Sequence, residues 1–536
     1  MTAVRRETHR LVEGALPVPN KLDDGNNQWI EEAIWGHRFY NDQTPWFTYL
    51  EFLHVCEHRR RDQNHRSLFV RPTEGRHETF AYAMPARGEL RRLLFLDERL
   101  DELASKPLID ERQALREWLD ELAAEDGRDA DSYAYLGQRF SSLRDIHTAV
   151  QLVRSAEIDQ HRGRRYTSRH LVPFGPAALT ADFRPQAKGP PSHDRRFFAR
   201  GGELVFLMLG RSNVSAELEQ LIEERLLDEN SRWNRLIAAL QPAETQRPTS
   251  LLEGGYLPLP HHPRYDRLAE DMVRLLTLGG LDSENLHEPL VRVIGLNVLL
   301  YLHERSVEVL DDEPLPPLVL DLAGADASAL RSVARSQYNQ NRELSARAIR
   351  RHVERVRDLD EWRDVVRRPD RAARRDFFER YLGFKPVMKN SSRYSREDDA
   401  KTMLEEICEL TLANHEQHLV RVPGVFAEAI GLATARRGFG RAYGASDALL
   451  EALVLSQVTA PMSFDQFLAR LYERYHIVIG YTEALQAFST PNAPQEQFKI
   501  NQRRLEERLR SLGLLRRLSD DCAFVFNPFS RAGRSA

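Results

Sequence analysis

Between Ala445 and Phe529 the order of sequence signals leaves few folds open. Asp447–Gln457 starts on an acid and carries apolar residues at helical spacing. Pro461 breaks that run, and Ser463 is placed to cap a second helix through Phe467, Leu468, Leu471 and Tyr475. A polar loop with proline follows at Thr490–Gln495. A third, basic helix holds Asn501–Arg510 and stops at Gly513, a residue suited to a helix C-terminus. Two short β-like runs, Leu514–Leu518 and Cys522–Phe526, flank the turn-forming Ser519–Asp521. Helix, helix, basic helix and hairpin in that order predict a winged helix.

In a winged helix the third helix enters the major groove of DNA and the hairpin reaches the backbone. The reading and phosphate-contacting residues predicted here are Asn501, Gln502, Arg503, Arg504, Arg508 and Arg510, with Arg516 and Arg517 at the base of the hairpin. Residues 501–517 hold six Arg against two Glu, a balance of +4. The same module could instead dock a protein, and both readings stay open. The net charge of the whole chain is −4, so any nucleic-acid surface has to be a local patch.

The rest reads as a large helical body. Trp29–His58 is the densest aromatic block, with rings at helical spacing and Pro45 suited to a helix start. It is either a helical core or a stacking platform, and the spacing favours the core. Residues 67–70 and 79–83 suggest short strands, and 90–122 an amphipathic helix. Asp97–Asp131 carries 13 acids against 5 bases. Leu171–Gly202, rich in Pro, Gly and Arg, reads as a linker. Leu204–Leu209 is a buried strand or the start of a helix. Leu290–Leu302 contains Arg292 and Asn297 and is too short for a bilayer, so it is expected to be a buried helix.

Arg331–Arg357 has eight Arg and two Glu. Arg342, Arg347, Arg350 and Arg351 in it are a second set of candidate DNA contacts; the alternative is a face paired with the acidic span. Gly438–Gly444 looks like a hinge. The expected domains are an aromatic-rich helical N-terminal domain (1–185), a helical middle domain (203–385) and a C-terminal region (386–536).

Enzyme signatures are sparse. The sequence has no P-loop, GxSxG elbow or HExxH. His415 and His418 with Glu405 and Glu409 are a weak metal set. Asp311, Asp312, Glu313 and Asp321 surround a short strand as nuclease carboxylates would, but nearly without lysine. No catalytic residue, metal or cofactor is therefore expected. Cys56, Cys408 and Cys522 are far apart, and the N-terminus lacks an apolar core after its basic residues, which fits a reducing cytoplasm.

Three phrases taken together, 29–56 (WIEEAIWGHRFYNDQTPWFTYLEFLHVC), 196–212 (RFFARGGELVFLMLGRS) and 443–458 (YGASDALLEALVLSQV), resemble non-catalytic accessory proteins of bacterial anti-phage defence islands of the methylation- or phosphorothioation-associated type. The resemblance implies a DNA-binding or scaffolding subunit partnered by double-stranded DNA and by a methyltransferase, ATPase or nuclease, with no membrane partner. It carries over no site residue.

Overall fold

The computed structural model describes residues 6–18, 29–37, 39–40, 43–62, 67–73, 76–106, 110–125, 130–158, 169–184, 192–193, 198–243, 251–311, 313–324, 328–367, 370–384, 399–436, 440–488, 494–519 and 522–530. It is mainly helical, with a few short strands.

The organising element is His287–Val309, almost wholly buried. A helix buried this completely has to be covered all round. Two cores do this. Leu290, Val293, Ile294 and Tyr301 join the larger core, with the aromatic block, the Gly201–Gly210 and Pro263–Leu276 helices and the Ala400–Gln417 helix. Leu296, Leu299 and Leu300 join a second core, with the helices and hairpin of the last ninety residues. No helix among the described residues is long and apolar enough to cross a membrane.

The aromatic block is core. Trp29, Trp35, Phe39, Phe47, Tyr49 and Phe52 are each at most 2 % exposed, so they offer no stacking platform. Thr44 caps the Pro45–Arg61 helix, with Pro45 in its first turn. That helix crosses Gly201–Gly210 so closely that a Cβ at Gly202 would lie 2.3 Å from the Phe52 amide nitrogen. Glu51, fully buried, accepts from the amides of Arg200 (3.1 Å) and Gly202 (2.9 Å), so it caps the second helix from the side. Leu204–Leu209 is thus helical.

Several sequence expectations are corrected. Residues 67–70 form no strand, whereas Ala81–Tyr82 pairs antiparallel with Leu252–Glu253. The run 90–122 is broken into Gly88–Arg91, a wider turn at Arg92–Leu96, Arg99–Ala104 and Glu111–Glu125. The segment 171–182 is no free linker. Arg87, itself buried, donates to the carbonyls of Leu179 (2.7 Å) and Pro176 (3.0 Å), which satisfies a buried irregular backbone. Gly189–Pro191 lies outside the described residues, as does 385–398. The Gly438–Gly444 stretch is not a hinge: Gly440–Tyr443 pairs with Ala433–Arg436 in a hairpin, of which 437–439 is not described. Tyr443 packs edge-on against Tyr338 and accepts from Asn341 Nδ2 (3.0 Å), which holds the hairpin on the Ala329–Glu354 helix.

The last ninety residues are fused to the body through the second core, a strand pair and a buried carboxylate. Leu318–Val319 pairs in parallel with Ile477–Val478. Beside it, the fully buried Asp271 accepts from Arg474 Nε (2.6 Å), Tyr475 Oη (2.8 Å), Gln457 Nε2 (2.9 Å) and Asn297 Nδ2 (3.1 Å). A carboxylate this deep is stable only when its oxygens are fully engaged, and here four side chains from three separate helices engage them.

Candidate nucleic-acid interface

The terminal region is built from Asp447–Gln457, Phe464–Tyr475, the short Tyr481–Ala487 and the basic helix Gln495–Ser511. Ser463 caps the second of these in a reciprocal arrangement: its Oγ accepts from Gln466 N (3.2 Å), and Gln466 Oε1 accepts from Ser463 N (3.0 Å). The basic helix ends at Gly513, whose φ is +72°. Leu515–Ser519 and Cys522–Val525 form the hairpin, and Met462–Ser463 adds a third strand on the Cys522–Val525 side. The helix at 481–487 was not anticipated, and neither was the strand at 462–463.

Phe498, Asn501, Leu505 and Leu509 form the buried stripe of the basic helix, at spacings of three and four. Asn501 is therefore turned inward. Its Oδ1 accepts from Leu322 N (2.7 Å), and its Nδ2 donates to the carbonyls of Leu320 (2.9 Å) and Ile479 (3.0 Å). It is fully buried and drops out of the surface set. The periodicity held that information: Asn501 sits three after Phe498 and four before Leu505.

The opposite face carries Lys499, Arg503, Arg504, Glu507 and Arg510, all exposed, with Gln502 half-buried. Arg503 and Arg510 make no ion pair among the described residues. Arg504 pairs with Glu507 at 3.0 Å, and both side chains are more than half exposed. Arg508 is drawn sideways, donating from Nε to Asp447 Oδ1 at 2.8 Å. On the hairpin, Arg516 lies over the Phe526 ring at 4.8 Å, and Arg517 is 3.7 Å from Glu506. Both remain exposed. Arg503, Arg504, Arg510, Arg516 and Arg517 are thus collected on one helix face and the adjoining hairpin.

The second candidate set is placed differently. Arg331–Glu354 is helical, within Ala329–Glu354. Arg347 is bonded to Glu313, and Arg351 pairs with Asp311 at 2.7 Å, as does Arg355 at 2.9 Å. Arg342 lies over the Tyr338 ring at 5.9 Å, and Arg350 is exposed. The counter-ions are thus the acids at 311 and 313. The acids of 97–131 pair nearby instead: Glu121 with Arg99, Glu125 with Arg92, Asp101 with Arg154. The N-terminal end of this helix meets the basic helix, where Leu330 N donates to Gln497 Oε1 (2.8 Å). At 1.5 Å per residue, Arg347–Arg351 lie about 26–32 Å further along, so the two basic sets form no single patch.

The carboxylate and histidine sets are dispersed. Asp311 and Glu313 pair with arginines, Asp321 is buried 3.5 Å from Arg331, and Asp312 lies outside the described residues. His415 is fully buried, with Nε2 3.0 Å from Ser345 Oγ and Nδ1 3.4 Å from Glu31. His418 packs edge-on against Tyr40. Among the described residues no group of three or more His, Cys, Asp or Glu is placed to hold a metal ion. No protein-family model matches the chain, and no curated protein matches it.

Proposed function

We propose that residues 445–529 form a winged helix that binds double-stranded DNA, with the basic helix in the major groove and the hairpin against the backbone. The observation that carries this reading is the arginine face: Arg503, Arg504 and Arg510 point away from the core on the third long helix, and Arg516 and Arg517 extend the same charge onto the adjoining hairpin. Exposed guanidinium groups at helical spacing suit phosphate oxygens and guanine edges. The strand order, with Met462–Ser463 beside the second hairpin strand, supports the same assignment.

The rest of the chain serves as the body that this module orients. Together with the likeness to accessory proteins of anti-phage defence islands, this makes the protein a DNA-binding or scaffolding subunit without catalysis of its own, working beside a partner enzyme such as a methyltransferase, ATPase or nuclease. A second reading, protein docking through the same face, draws on Ile500 (47 % exposed), an apolar side chain left uncovered on the basic helix.

Fluorescence anisotropy of the full chain with a labelled duplex at two salt concentrations separates the two. Binding that weakens steeply with salt is expected for phosphate neutralisation. Absence of binding at low salt assigns the face to a protein partner.

A further inference from the structure

A cleft of about 410 Å³ opens between the segment around Phe174, the start of the Arg232–Ala239 helix and the turn that leads into His287–Val309. It is remote in sequence from the terminal module, and nothing in the DNA-binding reading uses it. Three features point to a ligand.

The first is a pair of arginines without ion partners. Arg232 and Arg235 stand one turn apart, both exposed, and neither makes an ion pair among the described residues. Arg225 has another role. It donates to the carbonyls of Leu276 (3.1 Å) and Leu281 (2.6 Å) and so ties the far wall together.

The second feature is His287, 2 % exposed but lining the cleft. Its Nδ1 lies 2.8 Å from Tyr49 Oη. Tyr49 is fully buried and has no other acceptor among the described residues, so its hydroxyl donates to Nδ1. The proton of the neutral ring then sits on Nε2, which has no protein partner among the described residues, in a side chain that lines the cleft. Burial holds this imidazole down to about 3, so it stays an uncharged donor at neutral pH. It also stands in the first turn of a 23-residue helix, whose N-terminal amides favour negative charge.

The third feature is an aromatic side chain together with acids. Phe174 is half-buried at the cleft and is braced by Trp233 (5.1 Å between centroids) and His287 (5.6 Å). Asp228, Asp282 and Glu284 line the cleft too.

We propose that this cleft binds a nucleotide. Its phosphates sit on Arg232, Arg235 and His287 Nε2–H, its base lies against Phe174, and its ribose hydroxyls donate to Asp282 or Glu284. The lining offers donors for phosphates and acceptors for ribose hydroxyls, and the volume is of the right order for a nucleotide.

The test is isothermal titration of the full chain with ADP, GDP, inorganic pyrophosphate and adenosine. The exposed pair Arg232→Ala with Arg235→Ala leaves the core untouched. It is expected to weaken ADP or GDP binding roughly tenfold or more. Phe174→Leu is expected to weaken the nucleotide while leaving pyrophosphate unchanged. Failure of both nucleotides to bind at millimolar concentration overturns the proposal. So does pyrophosphate binding as tightly as the nucleotides, which marks an anion site only, or nucleotide affinity unchanged in the arginine pair variant. Duplex DNA affinity of that variant should equal the parent's, so the outcome is separate from the fate of the terminal module.

Discussion

Two helices in this chain are rich in arginine, and they handle the charge in opposite ways. On Ala329–Glu354 the arginines at 347 and 351 meet carboxylates from the turn after the central helix, and Arg342 covers a tyrosine ring. On Gln495–Ser511 Arg503 and Arg510 face solvent without a counter-ion among the described residues. The first carries more arginines, yet the second has more to offer a polyanion. What distinguishes them is the origin of the counter-ions: thirty to forty residues away in sequence for Arg347 and Arg351, and one turn away on the same helix for Lys499 and Arg504, with Arg503 and Arg510 left without one among the described residues.

The largest expected effect concerns what the first helix buries. Burial holds His352 on that helix down to about 3, His287 likewise to about 3, and His77 and His303 to about 4. Their folded pKa values lie below the unfolded value, so the unfolded chain binds more protons as pH falls. The stability they contribute is complete above about pH 6.5 and is lost toward pH 4 and below, at about 1.4 kcal/mol per pH unit for each. Denaturant melts from pH 7.5 to 5 should show a steep decline; a flat profile would mean that these rings are solvated.

Next comes Asn501→Ala. It strips partners from three buried backbone groups and should cost at least about 3 kcal/mol, read as a lower unfolding midpoint. A variant of normal stability but weak DNA binding would return Asn501 to the surface and undo the division of faces drawn above.

The triple change Arg503→Ala, Arg504→Ala and Arg510→Ala should leave the melting temperature close to the parent's. Duplex affinity should fall at least about tenfold and the salt slope should shrink by about 2–3. Smallest is Arg347→Ala with Arg351→Ala, which breaks exposed pairs worth under about 1 kcal/mol each and should change duplex affinity less than about twofold. A large loss there would place the first helix in the interface and erase the contrast.

The sequence disclosed what depends on neighbours in the chain. Ser463 as a cap, Pro45 in a first turn and Gly513 at a helix end all act within a few residues, and each is found in its expected role. The run at 290–302, apolar but for Arg292 and Asn297, required a buried helix and got one. What stayed hidden depends on distant partners. Nothing near Arg351 announces Asp311, forty residues earlier, and nothing near Ile477 announces its pairing with Leu318. The cleft at Phe174 is assembled from three segments and has no motif of its own. Asn501 is the intermediate case: its polarity suggested a surface role, while its position in the apolar stripe placed it inside.

The strand pairing at Leu318–Val319 and the side chains gathered on Asp271 also decide what kind of instrument the terminal module is. A reader on a loose tether would let its cargo swing through many angles. Here strand and carboxylate join module and body as one casting. A duplex seated on the basic helix would thus meet the rest of the protein along a single heading, as wood meets a set square, and a partner held on the body would find the DNA always presented on the same side.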